Sequence, residues 1–289
     1  MEPLIRIDRA LEAALARAAR RPCPPGLAAA LRHAVFPGGA RLRPRLCLAV
    51  ARACGEDEPA LAEAAAAAVE LLHCASLVHD DLPCFDDAAT RRGRPSVHRA
   101  FGERLAVLAG DALIVLAFET LAVGAAQRPE RLAGLVAGLA AAVGAPAGIA
   151  AGQAWECEPR PDRVEYHRQK TGALFAGAAM LGALAAGAEP APWRVFGERL
   201  GLAYQVADDI RDVAADPAEL GKPIGRDAAL ARPSAVGELG LEGALVRLRE
   251  LVAAASAAIP PCPGAEDLAA LVEHETRRFL PRGLVRVAA

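Results

Sequence analysis

Apolar side chains recur at three- and four-residue intervals along most of this 289-residue chain, the spacing that lays one apolar stripe along a helix. Segments of this kind run through 4–20, 26–34, 43–53, 59–81, 104–124, 129–144, 163–186, 192–213, 241–258 and 265–278, each bounded by Pro, Gly or Asp signals. No alternating run is long enough to read as a strand, no repeat of 20–50 residues shows, and no Pro/Gly/Ser linker divides the chain. The pattern predicts one all-α domain, a helical bundle over residues 1–289. Residues 132–152 carry no charge and reach the length of a membrane span. Ala and Gly dominate them and Pro146 interrupts them, so a buried core helix is predicted rather than a membrane crossing. The run 171–188 reads the same way, with Lys170 at its head as a sign that one end opens on a polar cavity.

Composition supports the helices. Aromatic residues are only 4% while alanine fills long stretches, and alanine is the best helix former whereas strands favour β-branched and aromatic residues. Hydrophobic residues at 54% and charged residues at 24% provide a core and exclude disorder. A net charge of -2 excludes a globally electrostatic nucleic-acid binder, so no nucleic-acid partner is expected; no transmembrane segment is expected either, because the run 132–152 reads as a core helix. The seven cysteines form no CxxC pair and no secretory signal is read before them. They are expected to be reduced cytosolic thiols. Lys170 and Lys222 are the two lysines among 33 basic residues, places where a compact ammonium replaces the usual guanidinium.

Two acidic clusters carry the chemistry. In the first, His79-Asp80-Asp81-Leu82-Pro83-Cys84-Phe85-Asp86-Asp87 closes an apolar helical run and is followed by Arg91-Arg92. Pro83 cannot continue a regular helix, so Asp80 and Asp81 are placed near a helix end with Asp86 brought round by the following turn. In the second, Gln205, Asp208, Asp209 and Asp212 recur at i, i+3, i+4 and i+7 and share one helix face. A single acidic patch is ordinarily a solvated surface; two, each on an otherwise apolar helix, are not. Crowded carboxylates raise one another's pKa unless a cation neutralises them, and hard oxygen ligands with room for a phosphate suit Mg²⁺. Around them stand Arg91 and Arg92, the loop 37–44 with Gly38, Gly39, Arg41 and Arg43, Lys170-Thr171 and Gly221-Lys222-Pro223. Glycine beside arginine lets backbone amides and guanidinium forks reach a phosphate together. With the apolar interior, these features describe a diphosphate bound through Mg²⁺ and trailing a long hydrophobic tail.

The segments PGGARLRP, HCASLVHDDLPCFDDAATRRGRPSVH, LAGDALI, AGQAWE, KTGALF, AYQVADDIRD and GKPIGRD together resemble the trans-isoprenyl diphosphate synthases over nearly the whole chain. More narrowly, they look like the geranylgeranyl diphosphate synthases of bacterial carotenoid and photosynthetic-pigment pathways. The resemblance implies a helical bundle around a deep cavity with the aspartate clusters facing each other across its mouth, and head-to-tail 1'-4 condensation. It implies that Asp80, Asp81 and Asp86, with Asp208, Asp209 and Asp212, hold about three Mg²⁺ on an allylic diphosphate: dimethylallyl, geranyl or farnesyl. By the same likeness, Arg91, Lys170, Thr171, Gln205 and Lys222 bind that diphosphate, Arg43, His73 and Arg92 bind isopentenyl diphosphate, and the protein is a cytoplasmic homodimer.

One position departs from the family pattern: Ala40 stands where the loop usually carries lysine. A charged contact of this kind is worth about 1.5–3 kcal/mol, so weaker isopentenyl diphosphate binding is expected, with Arg41, Arg43 or Arg45 compensating. Below the first cluster, Ala75 and Ser76 lie one to one and a half turns deeper than Asp80, on the side where the growing chain descends. Members of the family that stop at 15 carbons generally place an aromatic near here; two small residues, with the Pro83-Cys84 insertion, predict a 20-carbon product. The other readings are a 15-carbon synthase, a class I terpene cyclase and a non-catalytic partner subunit. Arg43, Arg92 and the second cluster speak against the cyclase, and the complete aspartates against the partner subunit. Cys74 and Cys84 read as packing residues, Trp155 and Trp193 as core or interface anchors.

Overall fold

Helices α1 (Pro3–Ala18), α2 (Pro25–Val35), α3 (Leu42–Ala53), α4 (Pro59–Asp80), α5 (Val97–Phe101), α6 (Glu103–Gly124) and α7 (Pro129–Val143) follow one another through the first half of the computed structural model. Four of the seven begin on proline, whose fixed φ suits the first helical turn and whose missing N–H would be unbonded there anyway. The second half holds α8 (Ile149–Ala154), α9 (Arg163–His167), a π-helical turn at Arg168–Gly172, α10 (Ala173–Ala185), α11 (Ala191–Ala214), α12 (Ala235–Ser256) and α13 (Ala265–Phe279). The structure describes residues 2–160, 162–214 and 234–279; Lys222 and the segment 221–227 lie outside the described residues.

The chain forms two compact units. One comprises Met1–Arg52, Glu56–Ala140 and Leu181–Ala188; the other comprises Ala53–Gly55, Ala141–Met180 and Glu189–Ala289. In the first unit α4 is the central element: from Leu61 to Val78 nearly every side chain is buried. It lies along α6, and small residues let the two approach. A Cβ on Gly124 would sit 2.2 Å from that of Ala64, and one on Gly110 2.0 Å from His79 Nε2. Across α1, Arg6 ties the layer to α4 with Nε 2.9 Å from Glu63 and a charged contact to Glu56.

In the second unit α11 packs along α12, with Ala203, Val206, Ala207 and Ile210 meeting Ala244, Leu245, Leu248 and Leu251 in one apolar cluster. Trp193 is buried against Phe196, the rings edge to face at 5.8 Å. The expected start of α12 near 241 moves back to Ala235, because a short helical stretch joins the main one across a kink at Gly240, whose φ of 70° only glycine adopts easily.

The uncharged run 132–152 is not one buried helix. Gly144 and Pro146 end α7 at Val143 and a new helix starts at Ile149. Along α7 only Leu135, Leu139 and Ala142 are buried, and alanines cover the solvent side. The run 171–188 does give a helix buried nearly all round, α10. A two-stranded hairpin, β1 (Thr90–Arg91) with β2 (Arg94–Pro95), is the one sheet among the described residues. Arg92 and Gly93 turn it, both with positive φ, the turn geometry whose twist matches paired strands. Among the described residues two helices, α4 and α6 with its continuation to Gln127, are long and apolar enough to cross a membrane by length and composition. The first is mostly buried in the protein, as a core helix must be.

Candidate active site

Helix α4 ends at the first aspartate cluster. Beyond it the chain turns back on Pro83, and the Asp86 N–H donates to Asp80 O at 3.0 Å while Ala88 N–H donates to Asp81 O at 3.1 Å. That turn brings Asp86 beside Asp80. Asp80 is partly open, whereas Asp81 is 2% exposed. The Arg91 guanidinium, delivered by β1, lies against Asp81, with Nε 3.0 Å from Oδ1. Burial pushes the Asp81 carboxyl above its ordinary value and Arg91 draws it back; Asp81 in turn holds Arg91 charged. Asp80 and Asp86 also act on Arg91 electrostatically.

Deeper on the same face of α4 stands His73, half-buried. Its pKa lies well below the ordinary histidine value, first because of burial and then because Arg43, Arg92, Arg91 and Arg41 surround it with positive charge. The imidazole is therefore neutral at pH 7. Arg43 is half-buried and Ala40 is exposed. Arg41 is placed differently from the expectation that it offers its guanidinium to a diphosphate. It is 4% exposed, with Nη1 2.7 Å from Glu70 Oε1 and Nη2 donating to Val35 O at 2.9 Å. Of the three arginines expected to compensate for Ala40, Arg41 is thus committed to Glu70, while Arg43 and Arg45 are half-buried. Ala75 is buried, and the half-buried Ser76 donates its hydroxyl to His73 O at 2.8 Å.

In the second unit the π-helical turn carries Lys170 and Thr171. One extra residue per turn re-aims side chains without ending the helix, which is why such turns recur at functional sites. A backbone press holds it in place, since a Cβ on Gly152 of α8 would come 2.3 Å from Lys170 N. Lys170 Nζ donates to Glu156 Oε1 at 2.7 Å, and the Tyr166 hydroxyl donates to the same oxygen at 2.6 Å. The Thr171 hydroxyl donates to Gln205 Oε1 at 2.9 Å, Gln205 Nε2 donates to Asp209 Oδ1 at 2.9 Å, and Asp209 Oδ2 accepts the Ala235 N–H at 2.8 Å. That chain joins the π turn, α11 and the start of α12. Asp208 is half-buried, while Asp209 and Asp212 are 5% and 4% exposed.

Among the described residues, no three Asp, Glu, His or Cys side chains gather closely enough to enclose a metal ion alone. Mg²⁺ seldom uses such cages; it takes one or two carboxylates and completes its shell with water and substrate phosphate. Asp80 with Asp86, and Asp208 with Asp212, are hard oxygen donors of that kind, so the residues fit the ion. Glu70 is absent from the sequence reading, and Glu156, which partners Lys170, stands in the AGQAWE segment with no role assigned to it. Each had a faint signal, Glu70 as a charge inside an otherwise apolar run and Glu156 three residues after Gln153. All seven cysteines are free, and burial pushes the Cys74 thiol up to about 12 and Cys54 to about 11, so these two are unreactive.

Residues 24–257 match the polyprenyl synthetase family model. The chain is 55% identical to the geranylgeranyl diphosphate synthase of Cereibacter sphaeroides over 96% of both chains. It is 52% identical to the enzyme of the same name from Rhodobacter capsulatus over 95% of both. Among solved structures, the Helicobacter pylori geranyltransferase complexed with magnesium and isoprenyl diphosphate superposes with a TM-score of 0.79 at 30% identity, covering 96% of this chain and 98% of that one.

Proposed function

The chain belongs to the polyprenyl synthetase family, and from that premise we propose that it condenses isopentenyl diphosphate head-to-tail with allylic diphosphates to make the 20-carbon geranylgeranyl diphosphate. The observation that carries the proposal is the 55% identity, over 96% of both chains, to a synthase of that product. The whole chain acts as one synthase domain in the cytoplasm.

Asp80, Asp81 and Asp86, together with Asp208, Asp209 and Asp212, would hold Mg²⁺, about three ions as the family resemblance implies. Mg²⁺ held there would neutralise the allylic diphosphate and make it a better leaving group. Within each cluster the roles divide. Asp80, Asp86 and Asp208 are the more open carboxylates, whereas Asp81 fixes Arg91 and Asp209 fixes Gln205 and the start of α12. Lys170, Thr171, Gln205, Lys222 and Arg91 hold the allylic diphosphate. Glu156 accepts from the Lys170 ammonium at 2.7 Å. Arg43, His73 and Arg92 hold isopentenyl diphosphate, and neutral His73 donates one N–H without adding charge. The allylic C1–O bond breaks, the isopentenyl double bond attacks C1, and the released diphosphate takes the proton. Positioned charge and exclusion of water are what the protein supplies to these steps.

Ala75 and Ser76 leave room for the fourth five-carbon unit. A homodimer is supported by α6, which exposes Leu108 at 53%, Val115 at 68% and Val123 at 51% on a helix otherwise suited to a core. The test is purified protein with Mg²⁺, isopentenyl diphosphate and each of dimethylallyl, geranyl and farnesyl diphosphate, the products sized by chromatography. A 20-carbon diphosphate that disappears in Asp80→Ala and in Asp208→Ala is expected. A 15-carbon product alone, or hydrocarbon released without isopentenyl incorporation, overturns the reading.

A further inference from the structure

Glu70 is a carboxylate in the body of α4, 1% exposed, and the reaction above gives it no part. Its Oε1 accepts from Arg41 Nη1 at 2.7 Å, lies 3.9 Å from Arg92 Nη2, and takes a weak contact from the Cys74 thiol at 4.0 Å. The two arginines come from different places. Arg41 sits in the 36–41 loop with a φ of 51°, and Arg92 in the hairpin turn with a φ of 54°. They are packed over the loop glycines: a Cβ on Gly38 would come 2.2 Å from Arg41 Cζ, and one on Gly39 3.0 Å from Arg92 Nε. Glu70 thus joins two backbone segments held in the left-handed region, one turn below His73 on the same helix face.

Charge decides what this junction does. A buried carboxylate and one guanidinium form a neutral pair; Glu70 faces two guanidinium groups, and Arg43 is also near enough to depress His73. Arg41 is shut off from solvent, whereas the Arg92 side chain keeps 22% of its surface open. The pair is asymmetric: one arginine anchors and the other is presented. We infer that Glu70 is a positioning residue for the isopentenyl diphosphate subsite, clamping Arg41 and Arg92 together so that Arg92 holds its remaining N–H groups toward the diphosphate where Ala40 supplies no cation. The inference rests on the proposed assignment of Arg43, His73 and Arg92 to that substrate.

Steady-state kinetics on the full-length protein test it, with isopentenyl diphosphate varied at saturating allylic diphosphate and the reverse. The variants are Glu70→Gln, the double Arg41→Gln/Glu70→Gln and Arg92→Ala, each with a thermal melt. Because Glu70→Gln strands the Arg41 charge and can unfold the protein, the double variant, which buries neither charge, carries the decision. It is expected to fold and to raise KM for isopentenyl diphosphate about tenfold, as loss of one charge-assisted contact would, with KM for the allylic diphosphate within about twofold. A folded double variant with an unchanged isopentenyl KM, both KM values rising together, or a double variant that does not fold each overturns the role of Glu70. Arg92→Ala separates the two levels. If it leaves the isopentenyl KM unchanged, the subsite assignment itself falls; if it raises that KM while the double variant does not, only the inference about Glu70 falls.

Discussion

Arg91 straps Asp81 at the end of α4, its Nε 3.0 Å from Oδ1 and 3.2 Å from Oδ2. The carboxylate is 2% exposed, so the strap answers a desolvation cost as well as aiming a charge. Taking away one partner of a buried pair leaves the other uncompensated, at about 3–5 kcal/mol. Arg91→Met is therefore expected to lower unfolding stability in urea by about 3 kcal/mol, and Asp81→Asn/Arg91→Met to regain most of it without regaining activity. A stable Arg91→Met single variant would show that solvent, not Arg91, satisfies Asp81.

His73 gives a pH dependence whose sign is set by its surroundings. Its folded pKa lies well below the ordinary value near 6.5, because of burial and then of four arginines. Below about pH 6.5 the unfolded chain takes up a proton that the folded chain refuses, so stability falls as pH drops from that point. Chemical unfolding at pH 7.5 and pH 5 is expected to show this loss in the wild type and a smaller one in His73→Gln. Equal losses would remove His73 as its source.

The opposite partner arrangement occurs at Asp57, where Arg131 Nη1 at 2.7 Å, with Arg128, lowers the carboxyl to about 2. A depressed carboxylate stabilises above its unfolded pKa near 3.9, and that contribution is lost as pH falls towards 2. The pair is more than a third exposed on the aspartate side, so the effect is below about 1 kcal/mol. Asp57→Asn is expected to be less stable than wild type at pH 6, with the gap closing between pH 4 and pH 2. A gap that persists at pH 2 would assign the loss to something other than the charge.

Gly152 sets the position of Lys170 through backbone alone. A Cβ there would meet Lys170 N at 2.3 Å and Lys170 Cα at 2.6 Å, neither able to yield without moving the π turn. Gly152→Ala is expected to cost about 1–3 kcal/mol in stability and to reduce kcat at least tenfold while the protein remains folded by circular dichroism. Normal turnover would mean that the turn tolerates displacement.

Ala75 is 2% exposed beneath the first aspartate cluster. Ala75→Phe is expected to shift the product from 20 carbons towards 15, read by chromatography of the dephosphorylated alcohols, at a stability cost of about 1–3 kcal/mol for the added volume. An unchanged product length would place the floor of the chain's path elsewhere.

The helices were legible because their cause is local. A three-to-four-residue apolar spacing, proline at a first turn and glycine or proline at an end act within a few residues of one another, and they place α1 to α4, α6, α7, α10, α11 and α13 close to where they stand, while the five-residue α5 is too short to leave such a spacing. The same locality explains the failures. The run 132–152 looked continuous because Gly144 and Pro146 were outweighed by their apolar neighbours, and the hairpin at Arg92-Gly93 is too short to leave an alternating pattern.

Ordered motifs likewise carried the family and the residue types of the site, since aspartate pairs and glycine-arginine loops declare their chemistry wherever they fold. What the spacing could not supply was the choice of partners. Arg91 joins Asp81 across 10 residues, Lys170 joins Glu156 across 14 and Arg41 joins Glu70 across 29. Nothing local ranks one carboxylate above another for an arginine, because the energy of each pair depends on how far both groups are removed from water. Local patterns suffice for a helical member of the polyprenyl synthetase family with two crowded carboxylate clusters; burial of Asp81 and Glu70, which arises when distant segments pack, selects Arg91 and Arg41 as their partners.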